Sequence, residues 1–129
     1  SALVDALQQL LGTGNPAQRK MAAYCLRDLD ARSPAVERAL LAALHDPDTY
    51  VRLAAISAIG RLALDRATAA QGLIELLADP DARVHRVAAA VLGLLGERSD
   101  AVRAALKRAS QSTDASLARA AERSLRLLA

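Results

Sequence analysis

The sequence repeats itself at a spacing of 33 residues. Asp46-Pro47-Asp48, followed by Val51-Arg52, returns as Asp79-Pro80-Asp81, followed by Val84-His85. The same shift carries Ala54-Ala55, Ala58-Ile59-Gly60 and Leu62 onto Val87-Ala88, Val91-Leu92-Gly93 and Leu95. One step back falls on Gln18-Arg19, Met21-Ala22, Cys25-Leu26 and Leu29, and one step forward on Leu117, Ala120-Ala121, Ser124-Leu125 and Leu128. Four repeats therefore fit without a gap, over about 1–32, 33–65, 66–98 and 99–129. A period of this length marks a stack of supersecondary units, each burying its apolar face against its neighbours.

Each unit holds two helices. Leu7, Leu40, Leu73 and Leu106 form one apolar column ahead of the repeated turn, and Leu3, Val36, Ala69 and Val102 form another. Asn15, Asp48, Asp81 and Asp114 place an Asx residue before every second helix, where the side chain can accept from an exposed N–H of the first turn. Ser33 before Pro34, and Ser99 before Asp100, do the same for two of the first helices. First helices are expected near 1–11, 34–44, 67–77 and 100–110, and second helices near 16–29, 49–63, 82–95 and 115–128. Nothing alternates apolar with polar as a half-buried strand does, so no sheet is expected. With two Tyr, no Phe and no Trp among the apolar residues, close helix packing must replace large aromatic side chains.

At 129 residues the chain is sized for one domain, 1–129. It starts without Met, already inside an apolar helical pattern, which is the expected mark of a segment excised from a longer chain. The formal charge is +3, and no apolar run reaches the ~18 residues a membrane span requires. With no leader pattern at Ser1-Ala2-Leu3, a cytoplasmic protein is expected, favoured as a monomer and without a membrane partner. The lone Cys25 excludes an internal disulfide and a multi-cysteine metal site.

The stretch Asp46-Pro47-Asp48-Thr49-Tyr50-Val51-Arg52-Leu53-Ala54-Ala55-Ile56-Ser57-Ala58-Ile59-Gly60 resembles the short HEAT-like repeats also found in phycobilisome lyases. The terminal repeats depart from it, with Thr13-Gly14-Asn15 and Ser112-Thr113-Asp114 in place of the Asp-Pro-Asp turn. The resemblance implies an all-α fold, a right-handed α–α superhelix of four two-helix repeats and about eight helices. It also implies that the arginine column of Arg19 and Arg52 pairs with turn acids, and that the second helices line a concave surface.

No catalytic constellation emerges, so an enzyme is not expected. Cys25 lies in the inward column of Ala58 and Val91 and is expected to be a buried structural thiol. His45 ends a first helix and His85 falls in the column of Arg19 and Arg52, so a helix-end and an inter-repeat role are expected, with no metal and no cofactor. The turn acids Asp46, Asp48, Asp79 and Asp81 are accounted for by capping.

The second helices present one stripe each at helical spacing. The columns are Lys20, Leu53, Arg86 and Arg119; Ala23, Ile56, Ala89 and Glu122; Tyr24, Ser57, Ala90 and Arg123; and Arg27, Gly60, Gly93 and Arg126. Tyr24, Leu53 and Ile56 are expected to form an apolar centre beside Lys20 and Arg27, continued by Arg86, Arg119, Arg123 and Arg126. Apolar anchors with an arginine rim suit a protein partner. Residues 99–129 carry a net charge of +3, to which an acidic flank of that partner would answer. The expected function is thus a non-catalytic protein-binding scaffold. Two other classes compete: a bilin or tetrapyrrole lyase-like subunit, implied by the resemblance, and nucleic-acid binding through the basic last repeat. The shortage of stacking aromatics makes nucleic acid an unlikely partner.

Overall fold

A computed structural model describes all residues, Ser1–Ala129. Eight α-helices follow one another: α1 (Ala2–Thr13), α2 (Pro16–Asp28), α3 (Pro34–Ala43), α4 (Thr49–Leu62), α5 (Arg66–Glu75), α6 (Ala82–Leu95), α7 (Asp100–Ala109) and α8 (Ala115–Leu127). No strand accompanies them, so the chain is all-helical. A short 3₁₀ turn, Leu76–Ala78, follows α5 where a continued helix was expected. The chain there approaches Pro80, and Asp79 ahead of the ring takes the extended conformation (ψ 138°) that a following proline imposes.

Every helix starts on a side-chain cap. Ser1, Asn15, Ser33, Asp48, Asp65, Asp81, Ser99 and Asp114 each accept from an N–H of the first turn that follows. Asn15 goes further: its Oδ1 accepts from the Gln18 N–H at 2.9 Å while the Gln18 Oε1 accepts from the Asn15 N–H at 2.9 Å, a reciprocal capping box. Helix ends are marked as clearly. Gly96 caps α6 in the left-handed conformation (φ 78°). Asp30 does the same after α2 (φ 53°), where the Ala31 N–H reaches back to the Leu26 carbonyl and the Asp30 N–H to that of Arg27, a Schellman arrangement.

The chain divides into two compact units, Ser1–Leu64 and Asp65–Ala129, each holding two repeats. In the first, α2 packs on α4 and α1 on α3; in the second, α6 packs on α8 and α5 on α7. Each unit buries leucine and valine from its first helices and an alanine-rich face of its second helices: Leu40, Ala22 and Ala55 in one, Leu106, Ala88 and Ala121 in the other. Cys25, expected to be buried, is only half-buried.

Alanine and glycine set how closely α6 and α8 approach. Ser124, 1% exposed, donates from its hydroxyl to the Ala89 carbonyl at 2.6 Å, and Gly93 lies against it. A Cβ on Gly93 would stand 2.7 Å from the Ser124 Cβ and 2.8 Å from its Cα. A helical Gly→Ala change ordinarily stabilises by about 1 kcal/mol. Here overpacking, at roughly 1–3 kcal/mol, opposes and outweighs that gain because backbone must move. Gly93→Ala is therefore expected to lower the melting temperature followed by circular dichroism; a rise would show that the two helices are not held at this distance.

Candidate binding surface

At the repeat junctions, side chains from the second helices hold the turn before their own helix, and Arg19 and His85 reach the turn that follows as well. The Arg19 guanidinium on α2 donates to both carboxylate oxygens of Asp46, at 2.8 and 3.0 Å, and to the Gly14 carbonyl at 2.8 Å. Asp46 also accepts from the Asp48 N–H at 2.9 Å. Burial acts to raise the Asp46 carboxyl, but the Arg19 hydrogen bond, the Asp48 N–H and the charges of Arg19 and Arg52 together hold it below the ordinary carboxylate value. Arg52 donates to the carbonyls of Asp46 and Pro47 at 2.9 and 3.2 Å. The expected pairing of Arg19 with a turn acid is thus present.

His85 occupies the same position on α6. Its Nδ1 lies 3.0 Å from the Asp79 carbonyl and its Nε2 3.0 Å from the Asp114 carboxylate. Both partners only accept, so the neutral ring, with one N–H, serves one of them, and the imidazolium serves both. The hydrogen bond from His85, followed by the Leu117 N–H, holds the Asp114 carboxyl below its ordinary value.

The expected binding residues fall into different settings. On α2, Lys20 is exposed, whereas Tyr24 and Arg27 are half-buried and occupied with each other. The Arg27 guanidinium lies 4.8 Å from the Tyr24 ring centroid and donates to the Ser57 hydroxyl at 2.7 Å and to Asp28 at 2.9 Å. Arg27 thereby ties α2 to α4. On α4, Leu53 is half-buried, but Ile56 is fully buried at 0% exposure and is no part of an accessible surface. Ile56 stands about 60° round the helix from Leu53. The buried side chains of α4, from Ala54 round to Ile56, cover more than half of its circumference, a wider arc than a one-sided helix offers. Ala23 and Ala89, in the column of Ile56, are buried as well.

In the second unit, α6 and α8 bring Arg86, Arg119 and Arg123 to one open groove of about 340 Å³, lined also by Val87, Ala90, Ser116 and Ala120. All three arginines are exposed, and none is engaged by an acid of the chain. Asp81 pairs with Arg83 at 3.0 Å and Asp114 with His85, so the acids at the helix starts are taken. Arg126, also exposed, lies beyond this lining. Lys20 lines a smaller recess of about 210 Å³ with Pro16, Ala17, Asp48 and Tyr50. Tyr50, 52% exposed, belongs to this surface although the sequence reading left it out; an aromatic in the first turn, ahead of the apolar period, was the signal. Val87 and Ala120 were missed because their column is inward in α4, where Ala54 is fully buried.

Residues 37–126 match the family model for HEAT repeats. The chain belongs to the HEAT-repeat family. Among solved structures it is similar to the crystal structure of an engineered protein from the Northeast Structural Genomics Consortium, with 21% identity and a TM-score of 0.70. The match covers 97% of this chain and 62% of that one, and at that identity it speaks for the fold alone. No curated protein matches the sequence. No helix of this HEAT-repeat chain is long and apolar enough to cross a membrane, and no three His, Cys, Asp or Glu side chains gather as a metal set.

Two measurements test the junctions. A depressed carboxylate stabilises the fold above its unfolded pKa, and that stability is lost as pH falls through the folded value. Asp46→Asn should therefore lower the melting temperature at pH 7 and come closer to wild type as pH falls below about 4. A gap of constant size would show that the ionised staple contributes nothing. At the second junction, His85→Arg restores the side chain found at positions 19 and 52 and should keep the melting temperature, whereas His85→Ala should lower it. Equal melting of the two variants would remove the junction role of His85.

Proposed function

We propose that this HEAT-repeat chain is a non-catalytic scaffold that binds a protein or peptide on the outward stripes of its second helices. The α6–α8 groove carries this reading. It gathers three guanidiniums that no acid of the chain neutralises around small apolar residues, a combination that stabilises the folded chain little and suits a partner. In the first unit the corresponding surface consists of Lys20, Tyr24 and Leu53, with Tyr50 beside Lys20. Arg27 contributes by holding Tyr24 in place. The partner carries apolar anchors and acidic flanks, in keeping with arginines that outnumber acids on this side of the second unit.

Because Ile56 is buried, the test uses accessible positions. Wild type and an Arg86→Gln, Leu53→Ser double variant serve as baits in the native source, and any captured protein is then purified and titrated calorimetrically against both. The expected result is a saturable complex with wild type, weakened at least tenfold in the variant, while circular dichroism and melting stay alike. Capture that ignores the substitutions, or no protein above background, would overturn the scaffold reading.

A further inference from the structure

The α6–α8 groove has a continuation that the first unit lacks. One turn beyond Ala90 on α6 stands Leu94, 76% exposed, and one turn beyond Arg123 on α8 stands Leu127, 54% exposed. Helical spacing keeps both on the side of their helices that lines the groove. At the same repeat column the first unit has Asp28 and Arg61, so this column is charged there and apolar in the second unit. The second unit thus presents a cationic recess followed by a leucine pair.

Two features limit what fits. The recess, at about 340 Å³, has room for a side chain and its adjoining backbone rather than for a helix laid along it. Three guanidiniums lining one recess exceed what a single carboxylate can engage, since one carboxylate takes one bidentate arginine. A phosphate monoester offers three acceptor oxygens and a charge of about −2, enough for several arginines at once. Ser116 adds a hydroxyl to the rim.

We infer that this groove receives a phosphorylated serine or threonine of the partner, with an apolar residue of the same segment resting on Leu94 and Leu127. Arg86 and Leu94 are eight residues apart, so at 1.5 Å per residue the two sites are separated by about 12 Å. An extended peptide covers that in about three to four residues. This inference rests on the scaffold reading and names what one of its surfaces recognises.

Short fluorescent peptides test it by anisotropy at low salt. Each carries a phosphoserine and a leucine four positions apart in an otherwise Ala, Gly and Ser sequence, with the leucine before it in one peptide and after it in the other. Companions replace the phosphoserine with Ser or Glu, or the leucine with Ser, and labelled oligothymidylate serves as a polyphosphate without the leucine. One phosphopeptide should bind at least tenfold more tightly than its Ser and Glu companions. The Arg86→Gln, Arg119→Gln, Arg123→Gln variant should lose that preference, Leu94→Ser, Leu127→Ser should lose the dependence on leucine, and Lys107→Gln, Arg108→Gln on α7 should bind as wild type does. Equal binding of the Glu peptide, equal or tighter binding of oligothymidylate, or no binding of either phosphopeptide would overturn the assignment. The two readings separate cleanly: a captured protein that still binds the triple arginine variant leaves the scaffold standing and removes the phosphate site.

Discussion

The close approach of paired second helices is the constraint on which the rest of this structure depends. Without Phe or Trp, neither unit can fill a wide gap, so α2 meets α4 through alanine, and α6 meets α8 through alanine and Gly93. At such short separation a hydroxyl reaches the neighbouring backbone, as Ser124 reaches the Ala89 carbonyl, and a single added methyl at Gly93 has nowhere to go. The same closeness leaves shallow grooves rather than deep pockets. Recognition on these faces therefore falls to the residues along the groove rims.

Repetition explains why so much of the fold could be read in the sequence. A cap, an apolar column or a turn acid that recurs at one spacing is observed several times over. The helix starts at Pro16, Pro34, Thr49, Ala82, Asp100 and Ala115 agree with the expected ones to within a residue. Departures occur where repeats differ from one another. The Asp65 cap stands one residue ahead of the Ser33 and Ser99 column, which holds Arg66 in this repeat, and the 3₁₀ turn after α5 has no counterpart in repeat two, although Pro47 there matches Pro80.

The candidate surface was less legible because exposure depends on how wide an arc each helix buries. A column assignment treats α2, α4, α6 and α8 alike, whereas α4 is covered over most of its circumference and takes Ile56 with it. Val87 and Ala120 show the opposite error: their column is inward in α4 yet lines the groove in α6 and α8. Charge was easier to place, since a guanidinium on a helix face seeks either an acid or water. Arg19 and Arg27 found partners within the fold; Arg86, Arg119 and Arg123 did not.

The two junctions show how a changed residue at one repeat position is compensated by another. In the first unit the turn residue at position 46 is an aspartate, and arginine engages it while also holding a carbonyl. In the second unit that turn position is Ser112, whose hydroxyl still accepts from the Asp114 N–H at 3.0 Å but offers no charge to a guanidinium. The acid available there is the cap itself, Asp114, and the shorter imidazole of His85 reaches it with one ring nitrogen while keeping a carbonyl on the other. Two ring nitrogens facing two acceptors stand in for the larger donor set of arginine. Asp114 is thus held by His85 and by the first-turn N–H groups of α8, and it is no part of the lining of the α6–α8 recess.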